Sequence, residues 1–332
     1  KKEYKLLYQF FKDIKLLSIQ LISETDSIKR GYLSSPFICE SIKNEIKTLL
    51  KYKQVVIQIG DINLTINIHY KDESESGINH FLQQIILMIR LLFSIHPINK
   101  KIIINYFLID VKKELKKNYK IPYIMGKSEA NSGSCLRGDE LSEINIWRKE
   151  EIVKVTVHEL IHALEFDNYQ DTDKLINHYC KKYKISSQII NTNEAYTEIW
   201  ANLINLYWIS QKAERNNYEF FLTLLTIEKE FCRIQALKIM DLTMLQSKLI
   251  DINQESNILS YYIIRCELYT NLPQFLKLCR LHNENYVQIN SVKWIEFLLK
   301  NKIIKKRKID NLHNQLMNTT RMTGIEYNIF NK

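Results

Sequence analysis

His158 and His162 lie four residues apart in the run VTVHELIHALEFD, with Glu159 directly after the first. On an α-helix, residues i and i+4 project from the same face one turn apart. Both imidazoles can therefore reach a single metal ion, at about 2.0–2.1 Å for zinc. A glutamate beside the first ligand stands where a general base for a metal-activated water is needed. Val155, Val157, Leu160, Ile161, Ala163 and Leu164 make this helix apolar on nearly every side. Burying two histidines and a glutamate among them costs several kcal/mol unless something compensates them, and a metal is the economical compensation.

A catalytic zinc takes three protein ligands and keeps one position open, so a further ligand is required. The pattern H-E-x-x-H-x-x-G-x-x-H is excluded, because Glu165 and Asn168 occupy the positions of its glycine and last histidine. Farther on, TNEAYTEIWAN places Glu194 and Glu198 four apart on one helix face, surrounded by Tyr196, Ile199, Trp200, Leu203 and Leu206. One of these carboxylates can ligate zinc while the other accepts a hydrogen bond from the far nitrogen of a ligand histidine and fixes its tautomer.

HELIH followed by NEA resembles the gluzincin metallopeptidases, the thermolysin-like and aminopeptidase-like enzymes. That resemblance implies one Zn²⁺ per chain held by His158, His162 and Glu194, with Glu159 as general base and Glu198 supporting a ligand histidine. It also implies a zincin-like α+β fold, in which a small mixed β-sheet subdomain carries the metal helix and a mainly helical C-terminal subdomain carries the third ligand. NSGSC at 131–135, the run from Ile144 to Asp167, and ESNILSYYIIR at 255–265 are similar to predicted metallopeptidases of large DNA viruses, a likeness covering about half the chain. Gluzincins stabilise the tetrahedral oxyanion with a Tyr or His from outside the two motifs. Tyr261 and Tyr262 are the first candidates here, with His178 behind them. The expected activity is hydrolysis of peptide or protein substrates; the alternative is an inactive, zinc-stapled binding or virion structural protein.

The elements that must position these groups are readable from hydrophobic period. Apolar spacing such as Leu6, Leu7, Phe10, Phe11 and Ile14 predicts one or two amphipathic helices over residues 1–50. QVVIQIGDINLTINIHY alternates on either side of Gly60 and Asp61, which predicts a hairpin over 54–70. A helix over 78–95 ending before Pro97, a buried strand over 101–110, and a short edge strand INIW at 144–147 follow. IPYIMGKSEANSGSC is expected to be a loop with extended parts, and its Asn131, Ser132 and Gly133 either line the cleft or form a plain surface loop. From Glu150 onward almost everything reads as helix, with loops near 186–192, 251–256 and 283–290. The expected division is a helical extension over 1–50, an α/β subdomain over 51–168, and a helical subdomain over 169–332.

Composition sets the bounds. With 332 residues but only seven Gly and four Pro, the chain has few turn formers, so long helices are expected. A net charge of +10 permits acidic partners, but its densest cluster, KKRK at 305–308, reads first as a solvated helix end, leaving nucleic acid weakly supported. The six cysteines are widely spaced without a C-x-x-C pair, which argues against a cysteine zinc cluster and predicts a reducing, cytoplasmic setting. The viral resemblance adds packaging in a virion to that expectation. The longest apolar run, IILMIRLLFSI, is interrupted by Arg90 and falls short of the roughly 18–20 residues of a membrane span.

Overall fold

The computed structural model describes residues 1–185, 190–212, 217–246, 248–249, 256–301 and 314–330. The KKRK run and most of the expected loops near 186–192 and 251–256 lie outside them. The chain is a mixed α+β protein. In order it forms α1 (Lys2–Asp13), β1 (Ile19–Ile28), α2 (Glu40–Ile46), β2 (Lys51–Ile59), β3 (Ile62–Tyr70), α3 (Glu75–Ile95), β4 (Lys101–Phe107) and α4 (Lys127–Ala130). Then come β5 (Gly133–Leu136), β6 (Leu141–Ile146), α5 (Ile152–Ala163), α6 (Asp173–Tyr183), α7 (Thr192–Lys212) and α8 (Tyr218–Thr243). The two-residue strands β7 (Met244–Leu245) and β8 (Lys248–Leu249) precede a π-helix (Leu259–Ile264), α9 (Arg265–Thr270), α10 (Leu272–His282), α11 (Ser291–Leu298) and α12 (Asn314–Asn318).

Two compact units are assembled from interleaved segments. One comprises Lys1–Gln9, Lys113–Ala130 and Phe166–Ile325; the other comprises Phe10–Lys112, Asn131–Glu165 and Glu326–Lys332. Unit boundaries fall at Gln9/Phe10, Lys112/Lys113, Ala130/Asn131, Glu165/Phe166 and Ile325/Glu326.

The second unit holds a six-stranded sheet in the order β1-β2-β3-β4-β6-β5. β2 and β3 are the expected hairpin, joined by a two-residue turn between paired Ile59 and Ile62, where Gly60 takes φ +58°. β3, β4 and β6 run parallel, while β1 and β5 close the two edges antiparallel to their neighbours. Alternation fixes the faces. Ile62, Leu64, Ile66 and Ile68 of β3, Ile102, Ile104 and Tyr106 of β4, and Ile144 and Ile146 of β6 are all buried on one side. Burying each such side chain contributes about 1.5–3 kcal/mol, and a one-residue slip would expose the whole set, so the register is strongly determined.

On that side α3 packs through Phe81, whose ring meets Tyr106 edge-on at 5.1 Å. Ser74 caps α3 by accepting from the Gly77 N–H at 3.1 Å, which starts the helix three residues before the expected position. α3 is long and apolar enough to cross a membrane by length and composition, but it is mostly buried within the protein.

Two sequence expectations are corrected. Residues 19–28 form strand β1, not helix, and every residue of it is exposed. With neither face buried, the strand carries no hydrophobic period. Its charges instead hold Lys53, which lies 2.5 Å from Glu24 and 3.3 Å from Asp26. The segment containing INIW is not an edge, because β6 lies between β4 and β5; the edge strand is β5, within the expected loop. Four residues are too short for a periodic signal.

The first unit is helical. α7 carries an almost continuous buried run from Ala195 to Ser210, and Tyr196, Trp200, Phe275 and Trp294 form an aromatic cluster around it. The start of α7 is fixed by Asp171, whose carboxylate accepts from the Thr192 backbone N–H at 2.6 Å and hydroxyl at 2.5 Å. Burial raises the Asp171 pKa, although these bonds and the one from Tyr169 work in the opposite direction.

Candidate metal centre

α5 is buried along its whole length. It is fastened to the sheet by Thr156, whose hydroxyl donates to the Ile152 carbonyl at 2.7 Å and lies 3.0 Å from the Tyr106 hydroxyl. The helix begins at Glu151, in the left-handed conformation with φ +59°, and the Glu151 N–H donates to the Glu326 carboxylate at 2.7 Å. A carboxylate at a helix N-terminus is favourable to the helix dipole, and this one takes the place of a side-chain cap.

His158 and His162 are 6% and 7% exposed, and their Nε2 atoms lie 3.1 Å apart. Two imidazole nitrogens bound tetrahedrally at 2.0–2.1 Å would stand about 3.3 Å apart, so the pair already has nearly the spacing of a zinc chelate. Arg137, just after β5, places a guanidinium nitrogen 2.8 Å from His162 Nδ1. Arginine can only donate, so this contact uses Nδ1 as an acceptor. A metal on Nε2 would require the proton on Nδ1, and Arg137, which is exposed, would have to leave.

Glu159 is 6% exposed, and its carboxylate lies against the backbone of β5. A Cβ at Gly133 would come within 2.4 Å of Glu159 Oε1 and 2.9 Å of its Cδ. The absence of a side chain at position 133 thus sets where this carboxylate rests.

In the helical unit, Glu194 lies in the first turn of α7 and is partly buried. The residues around it are held by Asp167, whose Oδ2 accepts from the Thr197 hydroxyl at 3.0 Å and from Asn193 Nδ2 at 3.4 Å. Glu198, expected to brace a histidine, is 2% exposed and pairs with Arg265 at 3.5 Å. Arg265 also donates to Asn202 Oδ1 at 3.1 Å and to the Met322 carbonyl. Tyr262 is fully buried and its hydroxyl donates to the Thr320 carbonyl at 2.5 Å, which occupies the proton an oxyanion donor would offer. Tyr261, its neighbour on the π-helix, is partly exposed. His178 sits on α6, where burial, aided by the charge of Lys182, lowers its pKa.

Sequence reasoning missed Gly133 as the seat of Glu159, Arg137 against His162, and Asp171 and Asp167 as anchors of α7. Of these, Gly133 had a signal: glycine is rare in this chain, so one beside a predicted site invites a reason. Comparison with protein-family models, with curated proteins and with solved structures finds no match for this chain.

Proposed function

We propose that the chain is a zinc-dependent peptidase of zincin-like architecture and gluzincin type. In this reading His158, His162 and Glu194 hold the metal, and Glu159 is the general base. The observation that carries it is the pair of imidazole Nε2 atoms 3.1 Å apart on a wholly buried helix, with a carboxylate one residue from the first histidine. The assignment of Glu194 rests on the NEA resemblance and on its place in the first turn of α7.

Bound by these residues, zinc would supply Lewis-acid polarisation of a peptide carbonyl and acidification of water. Glu159 takes the proton of the attacking water and delivers it to the leaving amine. Its seat against Gly133 puts that proton carrier beside an edge strand, to which an extended substrate can add by backbone hydrogen bonding. A structural zinc staple would make no demand on Glu159, whereas hydrolysis does. The Tyr262 hydroxyl is already committed to the Thr320 carbonyl, which weighs against it as the oxyanion donor.

The test combines metal analysis with product sequencing from a diverse peptide library. The purified chain should carry about one zinc, lost on His158→Ala and His162→Ala. Glu159→Gln should retain zinc while cleavage falls by at least about 100-fold, the scale of general acid–base catalysis. Full zinc retention in both histidine variants would remove the metal assignment. No cleavage by the zinc-loaded wild type would sink the peptidase reading, and equal cleavage by the Gln variant would remove Glu159 as base.

A further inference from the structure

The sheet's other face carries a second constellation, on the side away from α3 and α5. Gln54 pairs with Asn67 across β2 and β3, Asn67 with Asn105 across β3 and β4, and Asn105 with Asn145 across β4 and β6. Four side-chain amides therefore form one row across four strands. Asparagine is depleted in strands, so three in register at the centre of a sheet are not what backbone preference would select.

The row is hydrogen-bonded end to end. Gln54 Nε2 donates to Asn67 Oδ1 at 2.9 Å, Asn67 Nδ2 to Asn105 Oδ1 at 2.8 Å, and Asn105 Nδ2 to both Asn145 Oδ1 and Glu143 Oε1 at 2.9 Å. Tyr52 adds its hydroxyl to Asn67 Oδ1 at 2.7 Å. Each amide nitrogen has two N–H groups. Among the described residues, Asn67 therefore keeps one, Asn145 keeps its amino group, and Glu143 keeps its second oxygen for a ligand.

One side-chain row away stand Tyr52, His69 and Phe107, with His69 stacked on Phe107 at 4.9 Å and 8°. His69 is 5% exposed, and its Nδ1 is buried with no hydrogen-bond partner among the described residues. Burial, reinforced by the charge of Lys29, lowers its pKa to about 4, so at neutral pH the ring is an uncharged hydrogen-bonding group. These side chains line an open cavity of about 370 Å³, within the usual size range of small-ligand sites. Lys29 and Arg30 line it beyond the aromatic row, and Glu143 lies beyond the amide row. Lys29 Nζ sits 4.8 Å from the Tyr52 ring centre, and Arg30 is anchored by its Nε–H to the Lys47 carbonyl at 3.0 Å.

We propose that this face binds a mononucleotide whose base bears an exocyclic amino group, with its phosphate on Lys29 and Arg30. From the aromatic row to the row of Glu143 is about 13 Å, two same-face spacings along a strand, which suits an elongated ligand with distinct ends. Asparagine amides match the edge of adenine bidentately, and a glutamate accepts from an exocyclic amine. The cations supply the charge-assisted bonds a phosphate requires. The proposal is independent of the zinc and peptidase readings.

Isothermal titration calorimetry on the full chain tests it with AMP, CMP, IMP, UMP, adenosine, inorganic phosphate and a short oligo(dA). AMP or CMP should bind saturably, at least about tenfold more tightly than IMP and UMP, the usual discrimination of a matched base contact. Arg30→Glu, on an exposed residue, should abolish nucleotide binding, and the isosteric Glu143→Gln should erase the preference for amino-bearing bases; thermal melts confirm that both variants fold. The proposal is overturned if no mononucleotide binds the wild type, or if both variants bind AMP as the wild type does. It is also overturned if oligo(dA) alone binds, which would make the face a single-strand platform.

Discussion

On β4, Ile102, Ile104 and Tyr106 lie on one face of the sheet, while Ile103, Asn105 and Phe107 lie on the other. The first face is dry, covered by helices, and supports the helix with the two histidines. The second carries the amide row and opens into the cavity there, its amides bonding to one another, while Phe107 at the end of the strand is buried with Ile42, Ile46 and Trp147. The same strands thus serve opposite ends. A dry face fixes position through burial, and a wet one through directional bonds that leave capacity for a ligand.

The sharpest way to break this comparison is to make a matched cut on each face. Ile104→Ala should cost about 2–5 kcal/mol in denaturant unfolding, since it leaves a cavity among fully buried neighbours. Ile103→Ala, one residue away on the half-buried face, should cost less than half as much. Equal losses would mean that the open face is as tightly packed as the covered one.

The next effect concerns the contact between β5 and Glu159. Gly133→Ala drives a methyl into the Glu159 carboxylate, whose Oε1 would be 2.4 Å away, so the carboxylate must move. Under the peptidase reading, cleavage should fall by about 10- to 100-fold, as for a catalytic group displaced by about 1 Å, with zinc content unchanged. Wild-type turnover in this variant would show that the seat at position 133 does not set the base.

How much of this was legible beforehand depended on burial. The β2–β3 hairpin, α3 and the burial of α5 follow from apolar period, because those residues pay a large penalty if placed wrongly. β1 was misread since none of its residues is buried, and β5 since four residues cannot show a period. The HELIH and NEA groups could be singled out because carboxylates and imidazoles stand in apolar helices. The amide row could not: Gln54, Asn67, Asn105 and Asn145 become a row only once strand order and register are known. Asp171, which fixes the start of α7, was hidden for the same reason, its partner Thr192 lying 21 residues on.

A pH titration sharpens the contrast from the open face. The His69 pKa is lowered from 6.5 to about 4 in the folded chain, so the unfolded state binds the proton more readily. Its contribution to stability is therefore complete above about pH 6.5 and is lost as the pH falls through 4. The full shift corresponds to about 3 kcal/mol; with the ring beside an open cavity, about 2 is expected after solvent screening. His69→Phe should flatten the stability profile between pH 6.5 and 4. An unchanged slope would assign that window to other groups.

The smallest expected effect tests whether the amide row acts as a unit. In a double-mutant cycle, Asn67→Ala and Asn105→Ala each remove one partner of the 2.8 Å bond between them. Each single change also leaves the other amide short of a partner, although on a half-exposed face water replaces much of that loss. The coupling should therefore be about 0.5–1 kcal/mol, near the low end for contacting residues. A parallel cycle on Gln54 and Asn145, which lie at the two ends of the row and share no direct bond, should give essentially zero if the bonds act pairwise. Coupling there comparable to that of the central pair would mean that the chain of amides transmits polarisation along its length, as cooperative hydrogen-bond networks do. In that case a ligand held at the Glu143 end would alter the groups facing Lys29 and Arg30.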